Sequence, residues 1–372
     1  MTKETRYGKI YFDILQGIRS GRIHVGDKLP TEQQLSEKYG VSRITSKKAL
    51  EMLAQEGMVS RVPGKGTFVT SPSPVAGGGI YGERIKPGNI IGTVMSNFSS
   101  DFGADFIRGV QDECAKRGGI VAISCLYNTQ EEETVEISRL ISNGVQGLVI
   151  MPVHGISYSP AILSNVLNGF PMVLADRYPA GLSVPFVGTK NAQSAAEAVN
   201  YLFAMGHRNI AFISSAVTTT ALQERLDGYV DAYAQSDNPL DKQLISSAVQ
   251  YTMPGMENEE VLRADVGRLM EFFRGNPQVT AVLAADYHIA LVVQEALDRM
   301  EKRVPEDISL ICYDRREGGK RSYSYIKQRQ YEMGVQSARM LMDRIEGDKA
   351  LPQKVLLDYE LIPGDSVRKI EE

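Results

Sequence analysis

Cysteine is scarce in this 372-residue chain: Cys114, Cys125 and Cys312 are odd in number and far apart. That argues against a disulfide framework and matches no thiolate metal spacing, so buried thiols in a reducing compartment are expected. No uninterrupted apolar run approaches the length needed to cross a bilayer. The opening residues, MTKETRYGKIYFD, are charged throughout, where a secretory leader would be apolar. A cytoplasmic protein without membrane association is therefore expected. Catalytic signatures are missing too: there is no G-x-x-x-x-G-K-[ST] loop, no G-x-S-x-G elbow and no H-E-x-x-H pair. The run Gly77-Gly78-Gly79 follows no strand and cannot act as a phosphate cradle. The chain reads as a non-enzyme with no catalytic residue, no metal and no cofactor.

What is present is the composition of a soluble globular protein, 43% hydrophobic and 23% charged, too long for one ordinary domain. The net charge of −4 is unevenly spread: residues 1–70 carry 12 Lys and Arg against 7 Asp and Glu, in a chain that totals 41 against 45. A basic head on an acidic body suits a protein whose one end meets phosphates. Between them, residues 71–88 (SPSPVAGGGIYGERIKPG) are rich in Gly, Pro and Ser and read as a flexible linker. The expected division is a DNA-binding domain at 1–70, the linker, and a two-lobed effector-binding and dimerisation domain at 89–372.

In the head, Ile10, Ile14 and Ile18 recur at helical spacing, with Leu15 beside them, predicting a helix from Tyr7 to Ser20. Thr31 with Gln34 three residues on forms a capping box that opens a second helix, and Gly40 breaks it. Ser42 can cap a third helix that buries Ala49, Leu50 and Leu53. Two helices joined by a short Gly-containing turn make a helix-turn-helix. The third helix opens Ser42-Arg43-Ile44-Thr45-Ser46-Lys47-Lys48. Cations are unfavourable at a helix N-terminus unless phosphates or base edges compensate them. Two short β runs then flank the basic turn Pro63-Gly64-Lys65-Gly66, a hairpin suited to lie along a DNA backbone.

These landmarks in order resemble the GntR family of winged-helix regulators: Gly26-Asp27-Lys28-Leu29-Pro30-Thr31-Glu32, Tyr39-Gly40-Val41-Ser42-Arg43-Ile44-Thr45, Lys48-Ala49-Leu50 and Gly64-Lys65-Gly66-Thr67-Phe68-Val69. The resemblance implies that Arg43, Thr45 and Lys47 contact DNA, with Lys65 and Gly66 at the wing. Thr31, Glu32, Ser42, Ser46 and Lys48, at the starts of the second and third helices, complete the expected interface. Where the family often carries Val-Arg this chain has Ser46-Lys47, and lysine lacks the fork that grips guanine.

Past the linker, short apolar runs alternate with amphipathic helical ones: NIIGTVM, FIRGVQDECAKRG, IVAISCLY, EEETVEISRLISNG, VQGLVIMP, and later FPMVLAD, NIAFIS, TAVLAAD and DISLICYD. Strands of this kind imply an α/β fold with parallel sheets covered on both faces. The length suits two doubly wound lobes. The run Tyr201 to Ile213 (YLFAMGHRNIAFI), with ERLDGY from Glu224 and ISLICYD from Ile308, resembles the periplasmic-binding-protein-like domain of LacI/GalR regulators over about residues 89–365. Head and body together resemble the arabinose-responsive repressors of Gram-positive bacteria.

Ligands of doubly wound lobes bind beyond the carboxyl ends of the strands, and sugars need carboxylates, guanidinium groups and an aromatic face. The candidates at strand ends are Phe98, Ser99, Asp101 and Phe102, then His154, then Asp176 and Arg177, then Asp286 and Tyr287, then Tyr313 and Asp314. Arg225 matches the family's inward-pointing arginine and Asp286 its hydroxyl-binding aspartate. Each also has a plainer reading: Asp176–Arg177 as a strand-end ion pair, His154 as a hydrogen-bonded loop residue, Asp314 as a loop cap. His207 is expected to seat its turn, and Tyr323, Tyr325 and Tyr331 to pack between lobes. The function implied is a sequence-specific repressor of carbohydrate-utilisation genes. It would bind operator double-stranded DNA as a homodimer and be released by a sugar such as arabinose. The alternatives are a cytoplasmic sugar-binding protein, or a regulator with a non-sugar effector such as a nucleoside.

Overall fold

Capping chemistry sets the helices of the head. In the computed structural model, α1 (Arg6–Arg19), α2 (Glu32–Tyr39) and α3 (Arg43–Gln55) precede a hairpin of β1 (Val59–Val62) and β2 (Gly66–Val69). The residues described are all but 1–5, 20–21, 25, 56–57, 71–88, 97–101, 127–128, 154, 156–158, 180–183, 254, 316–321, 348–353 and 371–372. The capping box of α2 forms as expected: the Thr31 hydroxyl accepts from the Gln34 amide and the Gln34 side chain from the Thr31 amide. Gly40 then takes a left-handed conformation (φ 62°), and its amide donates back to the Ser36 carbonyl. Ser42 accepts the Thr45 amide at 3.2 Å and so caps α3. Ile10, Ile14, Leu35, Ala49, Leu50 and Leu53 form the core of the head with Val59 and Val69 from the hairpin.

The chain divides into two compact units, residues 1–84 and 85–372. The linker expected at 71–88 lies outside the described residues. The second unit opens with β3 (Ile90–Met95), α4 (Ala104–Lys116), β4 (Ile120–Cys125), α5 (Gln130–Ser142), β5 (Gly147–Met151), α6 (Pro160–Leu167), β6 (Met172–Ala175) and β7 (Phe186–Thr189). A second lobe follows: α7 (Asn191–Ala204), β8 (Ile210–Ser215), α8 (Thr220–Ala234), β9 (Ile245–Val249), α9 (Glu259–Gly275), β10 (Ala281–Ala284), α10 (Tyr287–Arg299), β11 (Ser309–Tyr313) and β12 (Ser324–Gln328). The chain then re-enters the first lobe through α11 (Gln330–Ile345) and β13 (Lys354–Leu357), and ends in the second with β14 (Tyr359–Ile362). The sheets run β4-β3-β5-β6-β7-β13 and β9-β8-β10-β11-β12-β14. Both lobes therefore share one doubly wound order, with parallel pairing except for β14 against β12.

Burial explains the near-continuous apolar strands. Along β5, Leu148 and Ile150 face Ile137, Leu140 and Ile162 of α5 and α6. Val149 and Met151 face Phe106, Val110, Met333 and Leu341 of α4 and α11. Helices thus cover both faces. The α4–α11 contact depends on glycine: a Cβ on Gly109 would lie 2.1 Å from the Tyr331 carbonyl, and one on Gly334 2.1 Å from that of Phe106. Three chain crossings join the lobes, and they are tied together. The Thr189 hydroxyl donates to Gln328 at 2.8 Å, the Lys190 amide to the Leu357 carbonyl at 3.1 Å, and the Lys190 ammonium pairs with Asp358. Among the described residues no helix is long and apolar enough to cross a membrane.

The two doubly wound lobes are as expected, with two features added and one expectation corrected. The first sheet is parallel throughout, and the second is parallel except at its edge, where β14 returns antiparallel along β12. The lobes are interleaved, because α11 and β13 belong to the first although they follow the second in sequence. Tyr323 and Tyr325 pack into the core of the second lobe, and Tyr331 hydrogen-bonds Asp112 of α4 inside the first, so none packs between lobes.

Candidate functional site

The head presents a basic helix face. Arg43, Ile44, Lys47 and Lys48 are exposed along α3, with Thr45 half-buried beside them. The Arg43 guanidinium donates to Gln33 of α2, and the Thr45 and Ser42 hydroxyls bond each other at 2.8 Å. Lys47 pairs loosely with Glu51 at 3.8 Å, and Lys48 leans back over the Tyr7 ring of α1 at 4.7 Å. Ser46 does not stand with them. Its side chain is fully buried, and its hydroxyl donates to the carbonyls of Glu32 at 2.7 Å and Arg43 at 3.1 Å. The expectation that Ser46 contacts DNA is thus corrected: it braces α3 against α2.

Thr31 is spent on its capping box, and Glu32 pairs with Arg61 of β1 at 3.4 Å. Arg61 also reaches Glu51 at 3.9 Å and the Lys47 carbonyl at 3.3 Å, so the hairpin is held to both helices by one side chain. Sequence reading passed over this arginine because its partners lie on other elements. At the turn, Lys65 is exposed and its amide donates to the Val62 carbonyl at 3.0 Å. Gly66 has φ 123°, and a Cβ there would lie 2.6 Å from the Lys28 side chain, which fixes glycine at the root of the wing.

The second candidate site lies between the lobes of the second unit, at the carboxyl ends of both sheets, where doubly wound folds take ligands. A cavity of about 150 Å³ is lined by Phe102, Asp176, Arg177, Arg225, Asp286, Tyr287, Tyr313 and Asp314, all expected from sequence. Ser96, Met151, Thr219, Ala221, Leu222, Thr252, His288 and Gln328 complete it and were not expected from sequence. Of the other candidates, Phe98, Ser99, Asp101 and His154 lie outside the described residues.

Arg177, Arg225, Asp286 and Asp314 are each held by hydrogen bonds. Arg225 is buried on α8; it donates to Asn191 at 3.0 Å and to the Ala285 carbonyl at 2.6 Å, and its guanidinium lies 3.7 Å from the Tyr313 ring centre. The Tyr313 hydroxyl bonds Ser194 at 2.8 Å, and burial pushes its pKa up to about 12. Asp286 caps α10, its carboxylate accepting the Ile289 amide at 2.7 Å. Asp176 and Asp314, each just after a strand, both have left-handed backbone (φ 63° and 55°), a strain that aspartate tolerates and that accumulates at functional sites. Asp314 accepts from Gln328 through its amide at 3.2 Å and its side chain at 2.6 Å, and from Gln330 at 3.2 Å. Burial nevertheless raises its pKa to about 6, against the pull of Gln328 and Arg225.

Arg177 donates to Ser96 at 2.8 Å, and its Nε lies 3.8 Å from Asp176, too far for a hydrogen bond. Burial depresses its pKa, opposed by Asp176 and Glu133. Arg177 Nε and Thr252 Oγ1, both on residues lining the cavity, are buried without a hydrogen-bond partner among the described residues. Buried polar atoms are normally satisfied, so these two mark where a polar ligand would add bonds. Behind the cavity, Asn191 links Arg225 to Glu224 at 3.2 Å. Glu224 in turn accepts the Tyr178 hydroxyl at 3.0 Å from the first lobe, and the Tyr178 hydroxyl accepts from Lys354 at 3.0 Å. His207 is structural as expected: its ring bonds Thr280 at 3.0 Å and the Arg368 carbonyl at 3.1 Å, and burial lowers its pKa.

Residues 6–69 match the model of bacterial regulatory proteins of the gntR family, and residues 199–367 that of a periplasmic binding protein-like domain. The arabinose metabolism transcriptional repressor of Geobacillus stearothermophilus is 27% identical over 354 residues, covering 92% of this chain and 91% of that one. The probable HTH-type transcriptional regulator EndR of Paenibacillus polymyxa is 30% identical over 267 residues, 69% of this chain and 73% of the relative. Among solved structures, a complex of the transcriptional regulator CelR with cellobiose has a TM-score of 0.66 at 23% identity, over 91% of this chain and 100% of that chain. This last likeness is one of fold.

Proposed function

The chain belongs to the bacterial transcription regulators that join a gntR-family head to a periplasmic binding protein-like body, and we propose that it is a cytoplasmic, sugar-responsive repressor of carbohydrate-utilisation genes. The observation that carries the effector reading is the convergence of Arg177, Arg225, Asp176, Asp286 and Asp314 on one cavity, with Phe102 and Tyr287 beside them. Paired carboxylates and guanidinium groups satisfy the donor and acceptor of each hydroxyl, and aromatic faces cover C–H surface. The name of the Geobacillus relative supports arabinose as the first sugar to test.

On this reading α3 enters the major groove with Arg43 leading, Lys47 and Thr45 beside it, and Lys65 and Gly66 at the wing. Thr31, Glu32, Ser42 and Lys48 lie at the rim of that surface. So small a head gains specificity from two half-sites, so the operator is an imperfect palindrome bound by a homodimer. Sugar bound between the lobes favours one arrangement of the body over another and weakens DNA binding. By reciprocity, DNA must then weaken sugar binding by the same factor.

The test is thermal unfolding of the full chain against pentoses, hexoses, their phosphates and nucleosides, because a ligand raises stability by mass action. A hit must also release the protein from its upstream DNA. A nucleoside that raised the midpoint where no sugar did would replace the sugar reading.

A further inference from the structure

The outward face of α3 carries one residue that neither the core nor the ionic network uses. Ile44 is 79% exposed, the most exposed large hydrophobic residue among those described, while the neighbouring apolar positions Ala49, Leu50 and Leu53 are closed into the core. A β-branched side chain in this place lowers helix propensity and leaves its surface in water. A lone exposed apolar residue is ordinarily unremarked. This one stands in the first turn of α3, between Arg43, which is tied to Gln33, and Thr45, which is tied to Ser42, with Lys47 one turn on. Every neighbour is a donor or a cation; Ile44 alone in that turn offers apolar surface.

In the major groove the apolar feature of the base edges is the C5-methyl group of thymine. We propose that Ile44 is a specificity-determining residue that packs on a thymine methyl in each half-site. The inference rests on the proposal that α3 enters the major groove. It assigns the residue a role that hydrogen bonding cannot supply: distinguishing thymine by its methyl group rather than by its acceptor oxygen. Burying one methyl group corresponds to about fourfold in affinity per half-site, the equivalent of about 0.8 kcal/mol.

The experiment uses the full-length protein and a duplex it selects from a random pool. Each thymine of that duplex is replaced singly by deoxyuridine, which removes only the methyl group. The wild type is expected to lose about fourfold at one thymine per half-site and to ignore the others. The Ile44→Ala variant should bind the thymine and deoxyuridine duplexes alike, whereas Arg43→Ala, though weaker overall, should keep the thymine sensitivity. The midpoint of thermal unfolding should be the same for Ile44→Ala and wild type. A wild type indifferent to every replacement, a sensitivity that persists in Ile44→Ala, or a lowered midpoint would each overturn the inference. A wild type that selects no duplex at all would instead remove the DNA-binding reading beneath it.

Discussion

Replacing Arg225 with alanine separates the two things this side chain does. The guanidinium satisfies Asn191 Oδ1 and the Ala285 carbonyl, which it reaches at 3.0 and 2.6 Å, and it covers the Tyr313 ring. Hydrogen bonds from a charged donor contribute about 1.5–3 kcal/mol each. The vacated space opens on the cavity, so water can reach both acceptors, and the loss should sit at the low end, about 3 kcal/mol in all. For a unit of this size that lowers the unfolding midpoint by about 5–10 °C. The effector loses a charged partner for its hydroxyls, about 2 kcal/mol or more, which is at least about thirtyfold in affinity. DNA affinity without sugar should stay that of the wild type. Thermal unfolding with and without saturating sugar and fluorescence anisotropy of a labelled operator read all three quantities. The variant Arg225→Lys keeps a charge that reaches the same space but lacks the planar fork, so it should recover part of the stability and little of the sugar response. If Arg225→Ala still gained the wild-type increment in midpoint with sugar, and left DNA at the wild-type sugar concentration, the cavity would not be the effector site.

Ser46→Ala removes the hydroxyl that donates to the Glu32 and Arg43 carbonyls. The head should lose about 1–1.5 kcal/mol, read as roughly tenfold faster hydrogen exchange of α2 and α3 amides, and unchanged exchange would deny Ser46 its bracing role. Asp314, with its pKa raised to about 6, holds a proton in the folded state that the unfolded chain releases near pH 4. Stability should therefore fall by about 3 kcal/mol as pH rises from about 4 to above 6. Asp314→Asn should flatten that slope in urea unfolding, and a slope equal to the wild type's would show that another group titrates. Tyr178→Phe removes the hydroxyl that joins Glu224 and Lys354 across the lobes. Apparent sugar affinity should drop about fivefold with the cavity residues intact, the effect of about 1 kcal/mol on lobe closure, and an unaltered titration would mean the contact does not bias closure.

How much was legible in the sequence follows from where the partners lie. Thr31 and Gln34, or Gly40 and its left-handed turn, act within four residues of each other, so their chemistry can be read along the chain. The strands of both lobes announced themselves because helices cover both faces and leave long apolar runs. Strand ends then supplied Asp176, Asp286 and Asp314 without knowledge of the fold. What escaped depends on contacts between distant segments. Helical spacing does place Ser46 on the buried face of α3, three, four and seven residues before Ala49, Leu50 and Leu53, but its bond to the Glu32 carbonyl exists only once α2 packs there. Gln328 and Asn191 sit at chain crossings between lobes, and their roles exist only once the end of β12 meets Thr189 of β7 and Asp314 after β11, and α7 meets Arg225 of α8. The edge strands β13 and β14 are short and half-exposed, so they lack the apolar run that marked the central ones.

The charges of the cavity bear on what enters it. Two guanidinium groups and three carboxylates line it. Arg225 is already committed to Asn191 and Ala285, and Arg177 is opposed by Asp176 and by the buried Glu133 behind it. A sugar phosphate would bring about two further negative charges against Asp176, Asp286 and Asp314, in a space where burial alone already raises the pKa of Asp314 to about 6. A neutral polyol meets no such opposition: it donates to the carboxylates and accepts from Arg177 Nε and Thr252 Oγ1, the atoms left unpaired. Repulsion between like charges in a poorly screened pocket outweighs what one spare donor returns. Free sugars should therefore raise the unfolding midpoint in the screen where their phosphates leave it unmoved.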